Sequence, residues 1–320
     1  TGRTDCTAEG TAACDQCDYS ESDIGAVMEY LTIQELVETA EKKEMSIGAV
    51  VLEDQAVQME QSKEKLLSQM EENLRVMEKA VESGMDPELR STSGLTGGDA
   101  WKMMQYAKKG GITGSFMTKA MARALAVSEY NAAMGKIVAA PTAGSCGIMP
   151  GCLVTMMEAH QIPREKIIEG MFTAAGFGIV IAKRASIAGA QGGCQAECGS
   201  AAAMTAAALT EIMGGTPKQA ADACAMAIKN QLGLVCDPVA GLVEIPCIKR
   251  NVGGIMIAFS AADMALAGME SKIPADEVID AMKEVGDSMP CAMKETALGG
   301  LANTPTAKRM KEQVFGKKEA

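Results

Sequence analysis

The sequence predicts an all-α fold, a compact helical domain whose loops converge on one site, and three observations support this. Hydrophobic residues make up 48% of the 320 residues but aromatic residues only 3%, so small and aliphatic side chains must fill the core. Alanine, leucine and methionine favour closely packed helices, and 25 methionines make that packing adaptable. The sequence also lacks the alternating β-branched runs that would predict strands.

The first 27 residues differ from the rest of the chain. They are polar and show no periodicity, and Cys14 and Cys17 form an isolated CxxC pair without the second pair of a zinc site. We predict that residues 1–27 are an upstream or disordered segment and that the natural start lies near Met28. Residues 28–303 then form the main domain, and residues 304–320 form a polar C-terminal tail.

The next part, up to the glycine-rich stretch at 91–100, is predicted to be helical. Ser46 is expected to cap one long helix that continues to Glu82. Its mixed charges are typical of a solvated face or of a seam against a partner. STSGLTGGDA at 91–100 is a break between helices, and it is not a phosphate loop because no GK[ST] follows. A first amphipathic helix precedes Ser46, with an apolar stripe formed by Leu31, Ile33, Leu36 and Val37.

The remainder of the chain is predicted as a series of helices. Thr216 is a cap and Pro217 occupies the first position of its helix, where proline is favoured. Pro163 and Pro274 mark two further starts. The predicted helices span about 100–108, 115–135, 151–157, 163–183, 199–213, 216–230, 250–268 and 274–286.

Charge and cysteine content limit the functional class and the compartment. A net charge of −11 argues against binding to nucleic acid or to anionic lipid. Eleven cysteines in a chain of this length and apolar content favour a reduced, cytoplasmic setting over a disulfide scaffold. The longest uncharged run, 137–157, contains prolines and glycines, so a soluble protein without a membrane span is expected.

Three cysteines lie beside glycine or proline: Cys194, Cys236 and Cys247. Because these neighbours break helices, each thiol is predicted at a helix end or in a loop. The separations of 42 (236−194) and 11 (247−236) residues match neither a zinc ribbon nor a ferredoxin pattern. Two interpretations follow from the residues alone: an iron–sulfur cluster with one iron left open, or three buried core cysteines.

The sequences around these cysteines resemble motifs of the iron–sulfur-dependent L-serine dehydratases, specifically the alpha subunit of the two-subunit type. The motifs are GAQGGCQAECG, NQLGLVCDPVAG and VEIPCIKRN, and APTAGSCGIMPG at 140–151 and KETALGGLA at 294–302 resemble the same family in the same order. The resemblance runs from about Met28 to Gly300. It implies that residues 28–303 form a catalytic domain.

The resemblance also implies a cofactor and a reaction. Cys194, Cys236 and Cys247 would hold a [4Fe–4S] cluster. An open iron of that cluster would act as a Lewis acid in the elimination of water and ammonia from L-serine to give pyruvate. Pyridoxal phosphate is not expected, because the likeliest glycine-rich loop, 143–147, contains no lysine for a Schiff base.

Four residues are candidates for substrate binding: Asn131, Thr142, Gly144 and Ser145. The loop at 140–151 leads into a helix, and the free N–H groups of a helix start attract carboxylates. That geometry serves equally for a substrate carboxylate and for simple capping of the helix by Ser145. Asn131 resembles a family position, and it is either a substrate ligand or a structural amide.

Glu197 and Lys294 are the candidate catalytic residues, and Glu295 is a third titratable group near a motif. An ion pair is the alternative role for each of them. His160, the only histidine, lies outside every motif and is interpreted as a surface residue of a helix.

The resemblance implies a beta subunit that carries a serine–serine–histidine motif, so a hetero-oligomer with L-serine as substrate is expected. Two other functions remain open from the sequence. One is a related iron–sulfur cysteine desulfidase, and the other is a non-catalytic iron–sulfur sensor or scaffold subunit.

Overall fold

The computed structural model describes residues 30–316. The predicted upstream segment 1–27, the expected start near Met28 and the CxxC cysteines lie outside these residues. Within 30–316 the chain is helical and has no β-strand, and an isolated parallel bridge pairs Cys236 with Lys294. The prediction of an all-α fold is confirmed. No helix in this range combines the length and the apolar character needed to cross a membrane.

Thirteen α-helices follow one another in the described part of the chain. They are α1 Ile33–Lys43, α2 Ile47–Gln58, α3 Lys63–Gly84, α4 Asp99–Ala107, α5 Gly114–Ala132, α6 Ile148–His160, α7 Arg164–Arg184, α8 Gly189–Gly192, α9 Ser200–Ile212, α10 Pro217–Lys229, α11 Cys247–Leu266, α12 Ala275–Ser288 and α13 Pro305–Phe315.

The helix α9 is the centre of the fold. It packs against α6, α7, α10 and α11, and nearly all of its residues are buried. Small side chains allow neighbouring helices to approach closely, and the fully buried alanines of α9 provide this surface. These alanines are Ala201, Ala202, Ala203, Ala206, Ala207 and Ala208.

The single helix predicted from Ser46 to Glu82 is two helices in the structure. Ser46 caps α2, and its hydroxyl accepts a first-turn amide at 3.1 Å. The chain then breaks where Glu60 adopts a φ of 50°, and Ser62 caps α3 by accepting another amide at 3.2 Å. The prediction is wrong because a serine cap interrupts a run whose apolar spacing favours helix on both sides.

Two other helix starts differ from the sequence expectation. α11 begins at Cys247, directly after Pro246, rather than at residue 250, so this cysteine opens a helix. The segment 304–320, expected as a polar tail, contains α13. Its N-cap Thr304 accepts a first-turn amide at 3.3 Å, and Pro305 takes the first helical position.

Three helix N-termini are bound by carboxylates from distant helices. Asp276 of α12 accepts an amide of α1 at 2.8 Å, and Glu211 of α9 accepts an amide of α2 at 2.7 Å. Glu129 of α5 accepts the first two amides of α4 at 2.9 and 3.2 Å. The free N–H groups and the positive end of the helix dipole favour a carboxylate at these positions. Side chains far apart in the sequence therefore fix where α1, α2 and α4 begin.

We expect Glu129→Ala to lower the free energy of unfolding by about 1–3 kcal/mol, because two first-turn amides of α4 lose their acceptor. Glu129 is 1% exposed, so water does not replace the carboxylate. Urea denaturation followed by circular dichroism measures the change. Glu72→Ala, at a side chain that is 61% exposed on α3, is the matched control and should leave stability unchanged. A Glu129→Ala variant as stable as the wild type would contradict the capping role.

Candidate functional site

The three motif cysteines come from three separate segments and meet near the N-terminal end of α9. Cys194 directly precedes the turn that leads into α9, Cys236 lies in the extended bridge, and Cys247 is the first residue of α11. Their exposed fractions are 2%, 2% and 7%. The prediction that each thiol lies at a helix end or in a loop is confirmed.

The three thiols are close enough to influence one another's ionisation. Burial first, and then the charge of Cys194, raises the pKa of Cys247 to about 12. Burial, followed by the charges of Glu197 and Cys194, raises the pKa of the Cys236 thiol far above its ordinary value. Contact with Cys198 lowers the pKa of Cys194. Buried thiols that resist ionisation become thiolates when they bind a metal centre, because the cation stabilises the charged form.

The donor set fits an iron–sulfur cluster better than a single metal ion. Across residues 30–316, no three His, Cys, Asp or Glu side chains are grouped so as to hold one ion. A cubane cluster is larger, and each thiolate ligand binds a different iron, so its ligands stand further apart. Three buried cysteines from three segments meet this requirement.

Glu197 lies among these cysteines. It belongs to a five-residue π-helical turn, Gln195–Gly199, that joins Cys194 to α9. Such turns widen a helix and are frequent at functional sites. The Thr142 hydroxyl donates to Oε1 of Glu197 at 3.0 Å, and Sγ of Cys236 lies 3.9 Å from Oε2. Burial raises the pKa of Glu197, and the hydrogen bond from Thr142 opposes that shift.

Two glycines allow the backbone to approach Glu197 closely. A Cβ added at Gly189 would lie 2.8 Å from Oε2 of Glu197 and 3.0 Å from Sγ of Cys236. A Cβ at Gly144 would lie 3.1 Å from Oε1. Any larger residue at Gly189 would displace the carboxylate or the thiol. The two glycines therefore let the backbone lie close to the carboxylate and, at Gly189, close to the thiol.

Asn251 joins the loop at 140–151 to the helix of Cys247. Its side chain is 1% exposed, and its Nδ2 donates to the carbonyl of Gly144 at 2.8 Å and to that of Cys247 at 2.9 Å. Its Oδ1 accepts the amide of Gly147 at 2.9 Å. One amide side chain thus fixes the candidate substrate loop relative to a candidate cluster ligand.

Asp237 joins the segment after Cys236 to the motif at 294–302. Its Oδ1 accepts from Nη2 of Arg250 at 2.8 Å, and its Oδ2 accepts the amide of Leu301 at 2.7 Å. Gly300 has a φ of 55°, and a Cβ there would lie 2.4 Å from Oδ2 of Asp237. Only glycine permits this approach. The guanidinium of Arg250 also places a positive charge beside Cys194.

Lys294 and Glu295, which adjoin the bridge to Cys236, have different neighbours. Lys294 lines a cleft of about 410 Å³ with Met282 and Asp287, and that cleft does not include Glu197. Glu295 has a φ of 60°, donates its amide to the carbonyl of Cys236 at 2.7 Å, and adds a charge that raises the pKa of Glu197. The structure therefore brings Glu295, rather than Lys294, close to Glu197.

Asn131 and Thr142 are the half-buried members of the candidate substrate set. The amide of Asn131 donates to the carbonyl of Ala143 at 3.4 Å, a long hydrogen bond. Thr142 donates to Glu197, and its hydroxyl also lies 3.2 Å from that of Ser145. Both residues adjoin the loop that faces Glu197.

Gly144 and Ser145 are buried, and the amides around them are largely engaged. The amide of Ser145 donates to the carbonyl of Thr142 at 3.3 Å, and the amide of Gly147 is held by Asn251. The hydroxyl of Ser145 makes no capping bond to α6. The structure brings the four candidate substrate residues together, and it leaves Thr142 and Asn131 as the more accessible polar groups.

The interpretation of His160 as a surface residue of a helix is confirmed. His160 is exposed at the end of α6, where its ring stacks edge-on against Phe116 with 5.6 Å between centroids.

The sequence analysis did not single out Cys198, Asp237 or Asn251. Cys198 follows Cys194 by four residues, and its Sγ lies 3.4 Å from that of Cys194. The four-residue spacing could have indicated this contact between the two thiols, because residues four apart on a helix are neighbours. Asp237 and Asn251 stand inside the quoted motifs, but their partners are distant in sequence.

Comparison with known proteins gives a family match over most of the chain. A family model described as "Serine dehydratase alpha chain" matches residues 42–302, a range that contains the three motif cysteines and Glu197. The chain is 50% identical over 288 residues to the "Probable L-serine dehydratase, alpha chain" of Bacillus subtilis, which covers 90% of this chain and 96% of that protein.

Two further relatives differ from each other in the share of their length that this chain covers. The "L-serine dehydratase, alpha chain" of Peptoniphilus asaccharolyticus is 46% identical over 285 residues, 89% of this chain and 98% of that protein. The "L-serine dehydratase" of Streptomyces coelicolor is 37% identical over 280 residues, which are 85% of this chain but only 60% of that protein.

We expect Asn251→Asp to lower the free energy of unfolding by about 1–3 kcal/mol, because a carboxylate cannot donate to the carbonyls of Gly144 and Cys247. The two side chains have the same shape, so the variant creates no cavity. Urea denaturation measures the change, and Asn303→Asp, at an exposed position, is the control. Equal losses in the two variants would contradict the role given to Asn251.

Proposed function

The chain belongs to the serine dehydratase alpha chain family, and from this we propose that it is the alpha subunit of an L-serine dehydratase, a carbon–oxygen lyase. It converts L-serine to pyruvate and ammonia. One observation carries the proposal: three buried motif thiols and the buried carboxylate of Glu197 meet near the N-terminal end of the central helix α9.

Cys194, Cys236 and Cys247 are the proposed ligands of a [4Fe–4S] cluster. The support is their convergence from three segments and their burial. When bound, such a cluster supplies a Lewis acid that withdraws charge from the serine β-hydroxyl. Pyridoxal phosphate has no part in the proposal.

Glu197 is the proposed acceptor of the α-proton. The Thr142 hydroxyl holds Oε1 at 3.0 Å, while Oε2 lies 3.9 Å from Sγ of Cys236. A carboxylate that is fixed in orientation can accept a proton without first reorganising. Glu197 fits this role better than Lys294, which lines the separate cleft with Asp287.

The proposed reaction is an elimination followed by hydrolysis of an imine. The α-proton of L-serine passes to Glu197, and the β-hydroxyl leaves with a proton as water, which gives aminoacrylate. This enamine tautomerises to an imine. Addition of water to the imine releases ammonia and leaves pyruvate, so the water lost in the first stage is consumed in the last.

Asn131, Thr142, Gly144 and Ser145 are the proposed substrate-binding residues. Asn131 and Thr142 offer half-buried polar groups near Glu197, and these suit the carboxylate and amino groups of a small amino acid. Gly144 and Ser145 shape the loop rather than donate from it, because both are buried and Asn251 holds the carbonyl of Gly144.

A beta subunit is the proposed partner, in a cytoplasmic hetero-oligomer that acts on L-serine. Two relatives whose names specify an alpha chain match this protein over nearly their whole length. The Streptomyces relative is longer, and this chain covers 60% of it. We infer that the part of the Streptomyces protein that this chain does not cover is supplied by a separate subunit in the complex of this chain.

The ligand assignment predicts the iron content of single variants. Anaerobically purified protein should be brown and contain about four irons per chain. Replacing Cys194, Cys236 or Cys247 by serine should abolish the cluster, because each change removes one of three ligands. Cys224→Ser, at a buried thiol of α10, is the control and should retain iron. Iron and sulfide analysis with visible absorbance measures this, and a full cluster in Cys236→Ser would overturn the assignment.

An anaerobic serine-to-pyruvate assay tests the function, with and without the partner subunit. The wild-type complex should form pyruvate and lose activity when a chelator removes iron. Glu197→Gln should lower the rate of the complex by about 10²–10⁴-fold, because a proton acceptor is lost without a change of shape.

Lys294→Met is the matched control and should keep most of the activity. Wild-type turnover by a cluster-loaded Glu197→Gln complex, or a larger loss in Lys294→Met, would assign the base elsewhere. Turnover of L-cysteine in place of L-serine would indicate a desulfidase.

A further inference from the structure

Cys198 is a buried thiol that the proposed cluster does not use, and it touches one that the cluster does use. The Sγ atoms of Cys198 and Cys194 lie 3.4 Å apart, and the two residues are 1% and 2% exposed. We propose that Cys194 and Cys198 form a reversible disulfide in the cluster-free chain and that this disulfide withdraws Cys194 from cluster binding. The bond itself stands on the geometry of the two thiols, and its effect on the cluster rests on the proposed function.

The π-helical turn places the two sulfurs in contact. Residues four apart on a helix have Cβ atoms about 5–6 Å apart, and a disulfide holds Cβ atoms about 3.5–4.5 Å apart, so the backbone of this turn must tighten locally. The sulfurs must approach by about 1.4 Å to reach an S–S bond of about 2.05 Å. Gly193 precedes Cys194 with a φ of 76°, and Gly199 follows Cys198. Glycines on both sides reduce the steric cost of a local adjustment.

The other two ligand thiols have different neighbours. Sγ of Cys236 faces the carboxylate of Glu197 at 3.9 Å, and Cys247 begins α11, where Asn251 holds its carbonyl. Cys194 and Cys198 share one turn of one helix, so their contact survives movement of the bridge or of α11. Cys198 is therefore the partner available to Cys194 when no cluster separates the three ligands.

A small hydroperoxide is the class of oxidant that the reaction requires. With hydrogen peroxide, the Cys194 thiol loses its proton and the thiolate attacks one oxygen, the O–O bond breaks, and the leaving hydroxide takes up that proton, so a sulfenic acid and water form. The sulfur of Cys198 then attacks that of Cys194, its proton and the hydroxyl leave as a second water, and the S–S bond forms. The two sulfurs together lose two electrons, and the peroxide gains two. A small dithiol reverses the step by thiol–disulfide exchange.

The disulfide has a direct consequence for loading with iron. A sulfur in an S–S bond has no thiolate charge to give to iron, so the oxidised chain offers two of its three proposed ligands. Loading then requires reduction first. A path by which iron and sulfide reach these buried thiols also admits hydrogen peroxide, which is a small molecule.

The test uses the full-length, cluster-free chain, reduced and then treated with hydrogen peroxide. The protein is denatured, alkylated and digested with trypsin, and cleavage after Arg184 and Lys218 leaves Cys194 and Cys198 as the two cysteines of one peptide. We expect this peptide to resist alkylation and to be about 2 Da lighter, the mass of two hydrogen atoms. Dithiothreitol should restore both alkylation and the uptake of iron from ferrous salt and sulfide.

Matched variants make the result specific. Cys198→Ala should abolish the lighter peptide, and Cys198→Ser serves if the alanine variant does not fold. Cys152→Ala, at a buried thiol of α6, should keep it. Cys291 is exposed, and its oxidation shows that enough peroxide was present.

Three results would overturn the proposal. One is a peptide that stays fully alkylatable after Cys291 has been oxidised. Another is a disulfide that joins Cys194 to Cys236 or Cys247 instead. The third is normal iron uptake by the chain that contains the Cys194–Cys198 disulfide. None of these measurements uses turnover of serine, so they remain decisive if the proposed function fails.

Discussion

The burial of α9 is the constraint on which the rest of the structure depends. Its alanine surface lets α7, α10 and α11 pack closely around it, so the helix lies inside the protein along most of its length. Its N-terminal extension therefore lies in the interior as well, and Cys194 and Glu197 are buried with it. The positive end of the helix dipole favours negative groups at that end. Position and electrostatics of the site both follow from helix packing.

The site buries carboxylates together with thiols. Burial of their charged forms costs free energy unless cations or hydrogen bonds offset that cost. Asp237 is paired with Arg250, whereas Glu197 has the hydroxyl of Thr142 on one oxygen. Burial is the first cause of the raised pKa at Glu197, Cys236 and Cys247 alike. A cationic centre bound among them would oppose all three shifts at once. The proposed cluster would therefore stabilise the residues that surround it.

Local signals in the sequence predicted the helical class and many helix starts. Pro163 before α7 and the Thr216–Pro217 pair at α10 act within one turn, so they can be recognised without knowledge of the fold. Ser62 is also a local signal, but the apolar spacing on both sides concealed it. The prediction that the three cysteines meet came from the resemblance to a family, since sequence separations of 42 and 11 residues carry no geometric information by themselves.

The contacts that complete the site could not be predicted, because they join residues far apart in the sequence. Asn251 binds the loop about a hundred positions earlier, and Asp237 binds Leu301. Whether Lys294 or Glu295 faces the site depends on the bridge to Cys236, which the sequence does not reveal. Capping by Glu129 and Glu211 is unpredictable for the same reason.

These contacts also give a structural role to motif residues other than the cysteines. Asn251 in the third cysteine motif holds the loop at 140–151, and Thr142 of that loop holds Glu197 in the first. Asp237 in the second motif binds the amide of Leu301 in the last, and the carbonyl of Cys236 accepts the amide of Glu295. Each motif therefore positions a residue of another motif. A thiol, a carboxylate and a loop from separate segments keep a fixed relation because their neighbours are bonded to one another, and the loss of one such neighbour would affect more than one segment of the site.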